Sequence, residues 1–102
     1  MAGSFIWPKF DEPVEIVPGV AWTAVFDSYD QRNECCYYRI LVRRKGGQVQ
    51  DVMAQVDVGW AGDDWTNSRF REAIKGALHA MAVSGKSNTG YGGYDAGPVK
   101  GA

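Results

Sequence analysis

From Cys36 to Arg44 the chain alternates in character, with Cys36, Tyr38, Ile40 and Val42 on one side and Tyr37, Arg39, Leu41 and Arg43 on the other. A period of two is that of a β-strand with one face buried. The same period runs from Val20 to Phe26, where Val20, Trp22, Ala24 and Phe26 share a face. It returns after residue 48, with Val52, Ala54, Val56, Val58 and Trp60 inward and Met53, Gln55 and Asp57 outward. Between these runs, residues 27–34 (DSYDQRNE) are polar and turn-forming, and Lys45-Gly46-Gly47-Gln48 supplies glycines for the positive φ angles of a tight hairpin. Three strands in a meander are expected.

The period then changes. Phe70, Ala73, Ile74, Ala77, Leu78 and Met81 recur at three- and four-residue steps, which predicts one amphipathic helix from about Trp65 to Ser84. Asp63 or Asp64 can cap its N-terminus and Gly85 can supply a left-handed C-terminal stop. The apolar stripe matches the inward faces of the strands. The fold class implied is α+β in two layers, a three-stranded antiparallel meander followed by one C-terminal helix. A single βββα domain is expected over residues 19–85.

Two segments flank that unit. Residues 1–18 carry Pro8, Pro13 and Pro18, each of which removes a backbone donor and favours extended geometry, so they read as an extended arm. Its Phe5, Ile6, Trp7, Phe10, Val14, Ile16 and Val17 are too apolar to stay in water, and the domain itself is the expected surface. Residues 86–102 form a glycine-rich tail in which Tyr91 and Tyr94 are the candidate anchors. One helix covers one sheet face only. The other face, with Val25, Tyr37, Leu41 and Met53 among Arg39, Arg43, Gln55 and Asp57, is left for an arm, a tail, a second copy or another partner.

At 102 residues and 45% hydrophobic, the chain can build one core and no more. Its net charge of −1 supplies no general attraction for a polyanion. The first residues, MAGSFIWPKFDEP, show no basic run leading into an apolar stretch, and no apolar run reaches membrane-spanning length. A cytoplasmic protein without membrane contact is therefore expected. Cys35 and Cys36 are adjacent and cannot form a disulfide that constrains the chain.

Catalytic chemistry finds little support. His79 is the one candidate base for Cys35 or Cys36, yet it follows Leu78 on the helix while Cys36 belongs to the core of a strand. Vicinal cysteines and a single histidine do not make a zinc site, and Asp63-Asp64 is better explained as a helix cap. Neither phosphate-binding glycine signature is present. No enzyme activity, metal or cofactor is expected. Three strands followed by a helix is also the order of double-stranded RNA-binding domains without their first helix, and of partial RNase H-like folds in some antitoxins. The lysine cluster of the former and the acidic triad of the latter are absent here.

What remains is binding. The leading expectation is a small non-catalytic protein-binding module, an inhibitor, adaptor or accessory factor of the kind that phages or mobile elements encode. It would contact another protein or a second copy of itself through Trp7, Tyr37, Arg39, Leu41, Arg43 and Met53, since aromatic and arginine anchors dominate such contacts. The alternative is single-stranded nucleic-acid binding through Tyr37, Arg39, Arg43, Arg44 and Lys45, a ring to stack on bases and cations for phosphates.

Overall fold

The computed structural model describes residues 6–61, 68–90 and 94–102. Four antiparallel strands, β1 (Phe10–Val17), β2 (Val20–Asp30), β3 (Cys35–Arg43) and β4 (Val49–Asp57), form one sheet in the order β1-β2-β3-β4. A short 3-10 turn, Gly59–Ala61, follows, and helix α1 is described over Ser68–Ser84. The α+β class and the C-terminal helix agree with the sequence. The strand count does not, because half of the expected arm is a strand.

The reason is positional. β1 is an edge strand, and Pro13 costs no ladder bond when its missing donor faces outward. Two irregularities of register against β2, between Phe10 and Val14 and between Glu15 and Val17, break the alternation that would have marked it as a strand. Gly19, at φ 83°, turns the chain directly into β2. A further irregularity between Phe26 and Ser28 lets β2 continue to Asp30 and returns Tyr29 to the inner face opposite Cys36. The β3–β4 pairing is unbroken from Cys35–Asp57 to Arg43–Val49. In the hairpin that joins them, Gly46 and Gly47 adopt φ of 90° and 84°.

The core lies between the inner sheet face and α1. Trp22, Tyr38, Ile40, Val42, Val52 and Ala54 from the sheet meet Phe70, Ile74, Leu78 and Ala82 of the helix, all buried. Each large side chain buried there contributes roughly 1.5–3 kcal/mol before entropy is counted. Trp60, expected inward, lies beyond the end of β4 and is 57% exposed, with its ring leaning on Phe70 and its indole N–H donated to the Asp57 carbonyl. Asp63, Asp64 and Trp65, the expected helix start, lie outside the described residues, as do Phe5 and Tyr91.

Arm and tail both fold back. Trp7 stacks on Phe26 with centroids 4.7 Å apart and reaches Tyr29 and Phe70, while the Pro8 carbonyl accepts the buried Tyr38 hydroxyl at 2.5 Å. Arg71 of α1 lies 4.6 Å over the Phe10 ring and donates to the Lys9 carbonyl. On the other side, Gly85 ends the helix at φ 69°, as expected of a C-cap, and its N–H closes on the Met81 carbonyl. Tyr94 is exposed and does not anchor the tail. Other residues do: Val99 is buried and bonds the Val83 carbonyl, and Asn88 pairs with the outer edge of β4 through both its backbone and its amide.

Candidate functional site

The register assigns the outer sheet face residue by residue. Ala21, Thr23 and Val25 come from β2, Tyr37, Arg39, Leu41 and Arg43 from β3, and Val49, Asp51, Met53 and Gln55 from β4. The arm lies against the helix layer, and the tail runs along the β4 edge, where Ser87 and Asn88 accept from the N–H groups of Met53 and Gln55. Val25 is 52% exposed, whereas Tyr37, Leu41 and Met53 are half-buried. The face is a shallow apolar strip in a charged frame.

Five of the expected binding residues, Tyr37, Arg39, Leu41, Arg43 and Met53, come together here. Trp7 does not, since its ring packs on the opposite side of the sheet. Val25 belongs to the patch and is the side chain that a reading centred on β3 gave least weight. Its parity in the Val20–Phe26 run already placed it outward.

The cations divide into three environments. Arg39 donates through Nε to Asp51 Oδ2 at 2.9 Å and is joined to it by Nη2 as well, so the pair is neutral as a unit. That hydrogen bond holds the arginine proton more firmly than usual. Arg44 has the opposite parity to Arg43 and turns to the helix side, where it donates to Gln50 Oε1 at 2.8 and 2.5 Å and to the Gly97 carbonyl at 2.9 Å. Gln50 is fully buried and passes its own amide to the Gly85 carbonyl. Arg44 thus locks hairpin, helix end and tail together. Arg43 and Lys45 remain exposed.

The residues considered for catalysis lie apart. His79 Nδ1 accepts the Trp22 indole N–H at 3.0 Å. Trp22 pairs with Val42, and Cys36 is six residues further along the same strand, roughly 20 Å away at about 3.3 Å per residue. Both cysteines are buried. Burial, with Cys35 alongside, pushes the Cys36 thiol up to about 12, far from the thiolate a nucleophile requires. The Cys35 thiol lies 3.7 Å from the Tyr37 hydroxyl. No cluster of metal-binding side chains occurs among the described residues, and no helix there is long and apolar enough to cross a membrane.

One groove of about 350 Å³ opens between β1 and α1, lined by Phe10, Asp11, Glu12, Pro13, Val14, Arg71 and Lys75. Its acids and cations are exposed on opposite walls, and Arg71 is already engaged with Phe10 and Lys9. No family model matches the chain, and neither the curated proteins nor the solved structures hold a significant match.

Proposed function

We infer that the protein is a non-catalytic protein-binding module that works through the outer face of its sheet, as an inhibitor, adaptor or accessory factor. The observation that carries this reading is the grouping of Val25, Tyr37, Leu41 and Met53 beside Arg39 and Arg43 on the outer face of the sheet. Apolar and aromatic groups at the centre with arginine beside them is the composition of protein interfaces. A sheet held by an unbroken β3–β4 ladder presents them without ordering cost at the moment of contact. Single-stranded nucleic acid is the weaker reading. Of its four cations, Arg39 is neutralised by Asp51 and Arg44 faces the other way, which leaves Arg43 and Lys45 for phosphates.

The test is capture of a partner from native lysate by the whole protein, compared with Val25→Lys and Leu41→Lys variants shown by thermal melts to be folded. Loss of the captured protein in both variants supports the reading. Equal recovery by both variants overturns it.

A further inference from the structure

We propose that the tail is a strap that keeps the edge of β4 from pairing with β4 of a second copy, and that its release turns this edge into a self-association site separate from the outer face. The two edges of the sheet are protected in different ways. β1 blunts itself, because it carries Pro13, the acids Asp11, Glu12 and Glu15, and two irregularities of register. β4 has no proline, and its pairing with β3 is unbroken over Val49–Asp57. Of its two acids, Asp51 is neutralised by Arg39. A regular edge of that kind is a template for another strand unless something covers it.

The cover is the tail. Ser87 Oγ accepts the Met53 N–H at 2.9 Å and Asn88 Oδ1 accepts that of Gln55 at 2.7 Å. The Asn88 backbone N–H donates to the Met53 carbonyl at 3.2 Å, and its amide Nδ2 to the Gln55 carbonyl at 3.0 Å. Two tail residues thus engage the N–H and C=O groups of both Met53 and Gln55, as a further strand would. Asp95 Oδ1 accepts from the Ser87 N–H and hydroxyl, which ties the later part of the tail to the same point. Beyond them, the Trp60 indole N–H closes the Asp57 carbonyl. By the alternation of a strand, Val49 and Asp51 direct their backbone groups to the same edge.

The edge is complementary to itself. A two-fold axis beside Val52, perpendicular to the sheet, sets Val49 against Gln55 and Asp51 against Met53 of the second copy, and Asp57 falls outside the paired stretch. No acid lies opposite an acid. The two Asp51 side chains are diagonal neighbours, and each is held by Arg39 of its own chain. Each of the four facing pairs exchanges two backbone bonds, so the dimer gains eight, while two straps give up four apiece when they leave. With no surplus to offset the cost of association, the strapped chain stays single. Removing the strap's bonds leaves the pairing unopposed.

The test compares the full wild-type chain with a Ser87→Ala, Asn88→Pro double variant, which removes all four strap bonds at positions beyond the end of the helix. Sedimentation velocity from about 1 µM to about 1 mM reads the association. The wild type is expected to run as a single chain throughout. The variant, shown by thermal melts to be folded, is expected to be half-paired at or below about 0.1 mM, at least about 10-fold tighter than the wild type. Hydrogen exchange locates the contact: in the variant, the Asp51 and Met53 amides should exchange freely at about 1 µM and gain protection at about 1 mM. A variant that stays single at every concentration overturns the proposal. So does a wild type that pairs as tightly as the variant, or an association that leaves those two amides unprotected. The capture experiment with Val25→Lys and Leu41→Lys reads the outer face alone, so the proposed function stands or falls separately.

Discussion

Trp22 of β2 and His79 of α1 are joined by one hydrogen bond across the sheet–helix boundary, indole Nε1 donating to imidazole Nδ1 at 3.0 Å. The rings lie 6.2 Å apart between centroids, and Trp22 is fully buried. Because Nδ1 accepts, the neutral ring carries its proton on Nε2. His79 is therefore an acceptor that lets an indole N–H be buried.

Removing that acceptor leaves the indole donor unsatisfied. His79→Leu is expected to destabilise the fold by roughly 1–3 kcal/mol, the usual cost of an orphaned buried polar group. In a Trp22→Phe background the same change should cost less, since no donor remains to be stranded. Urea titrations of the four proteins measure the coupling. Partner capture by folded His79→Leu should be unchanged, because the side chain lies on the helix side of the sheet.

Ile40 of the sheet and Ile74 of the helix belong to the same core and are both fully buried. Truncation of either to alanine is expected to cost about 2–5 kcal/mol, combining lost burial with the cavity left behind. Lys75→Ala, one residue along the helix and only partly buried, is the control. Melting shifts no larger than that of the control would contradict the assignment of faces.

Both isoleucines were legible in the sequence because their segments keep one period without interruption. The unbroken run of β3 places Tyr38, Ile40 and Val42 in the core, and the three- and four-residue steps of α1 place Phe70, Ile74 and Leu78 there. β1 was not legible as a strand. Pro13 argues against a strand until the segment is known to be an edge, and two register irregularities remove the alternation that would have outweighed it. At Phe26–Ser28 a similar irregularity hides the last third of β2 among turn-forming residues. The open face was legible from parity alone, since Tyr37, Arg39, Leu41 and Arg43 are the complement of a core pattern. Arg44 needed the structure. It adjoins Arg43 in sequence, and only the parity of β3 carried past its end, together with Gln50, shows that it leaves the face.

Gln50 is a polar side chain in a strand position otherwise held by Val52, Ala54 and Val56, and its amide joins Arg44 to the Gly85 carbonyl. Gln50→Leu should keep the apolar packing while stranding both partners, at a cost of about 1–3 kcal/mol. Gly85 is tighter still. A Cβ there would lie 1.9 Å from the Gly97 carbonyl oxygen at a φ of 69°, so Gly85→Ala has to displace the tail. Hydrogen exchange should show loss of protection at the Val99 amide in both variants, while Ile40 and Val42 stay protected. Retained protection at Val99 would show that the clamp does not hold the tail.

Alkaline pH should destabilise the protein through its buried acids. Burial pushes the Cys36 thiol up to about 12 from an unfolded value of 9.0, and burial likewise raises the Tyr38 phenol. Both groups are protonated when folded, so their contribution is complete below the unfolded values. It is lost as pH rises towards the folded ones, because the unfolded chain then releases protons that the native state retains. Unfolding free energy should fall between pH 9.0 and about 12, less steeply in Cys36→Ala. An equal slope in the two proteins would contradict the assignment to Cys36.

The two binding readings make opposite claims about salt. A protein that holds phosphates with Arg39, Arg43, Arg44 and Lys45 releases counterions on binding, so its affinity falls steeply as salt rises. Here the four cations do not act together: Arg39 is paired with Asp51, and Arg44 is part of the Gln50 clamp on the other side. The expected outcome is no measurable binding of single-stranded oligonucleotides by fluorescence anisotropy at about 0.15 M salt, where exposed charges are screened beyond about 8 Å. Changing Arg43 and Lys45 to Glu should leave that result unchanged and leave the melting temperature close to wild type. Arg44→Glu should lower the melting temperature, because it breaks the clamp whether or not nucleic acid is present. Salt-sensitive oligonucleotide binding at micromolar affinity, lost on reversal of Arg43 and Lys45 alone, would make single-stranded nucleic acid the partner of this face.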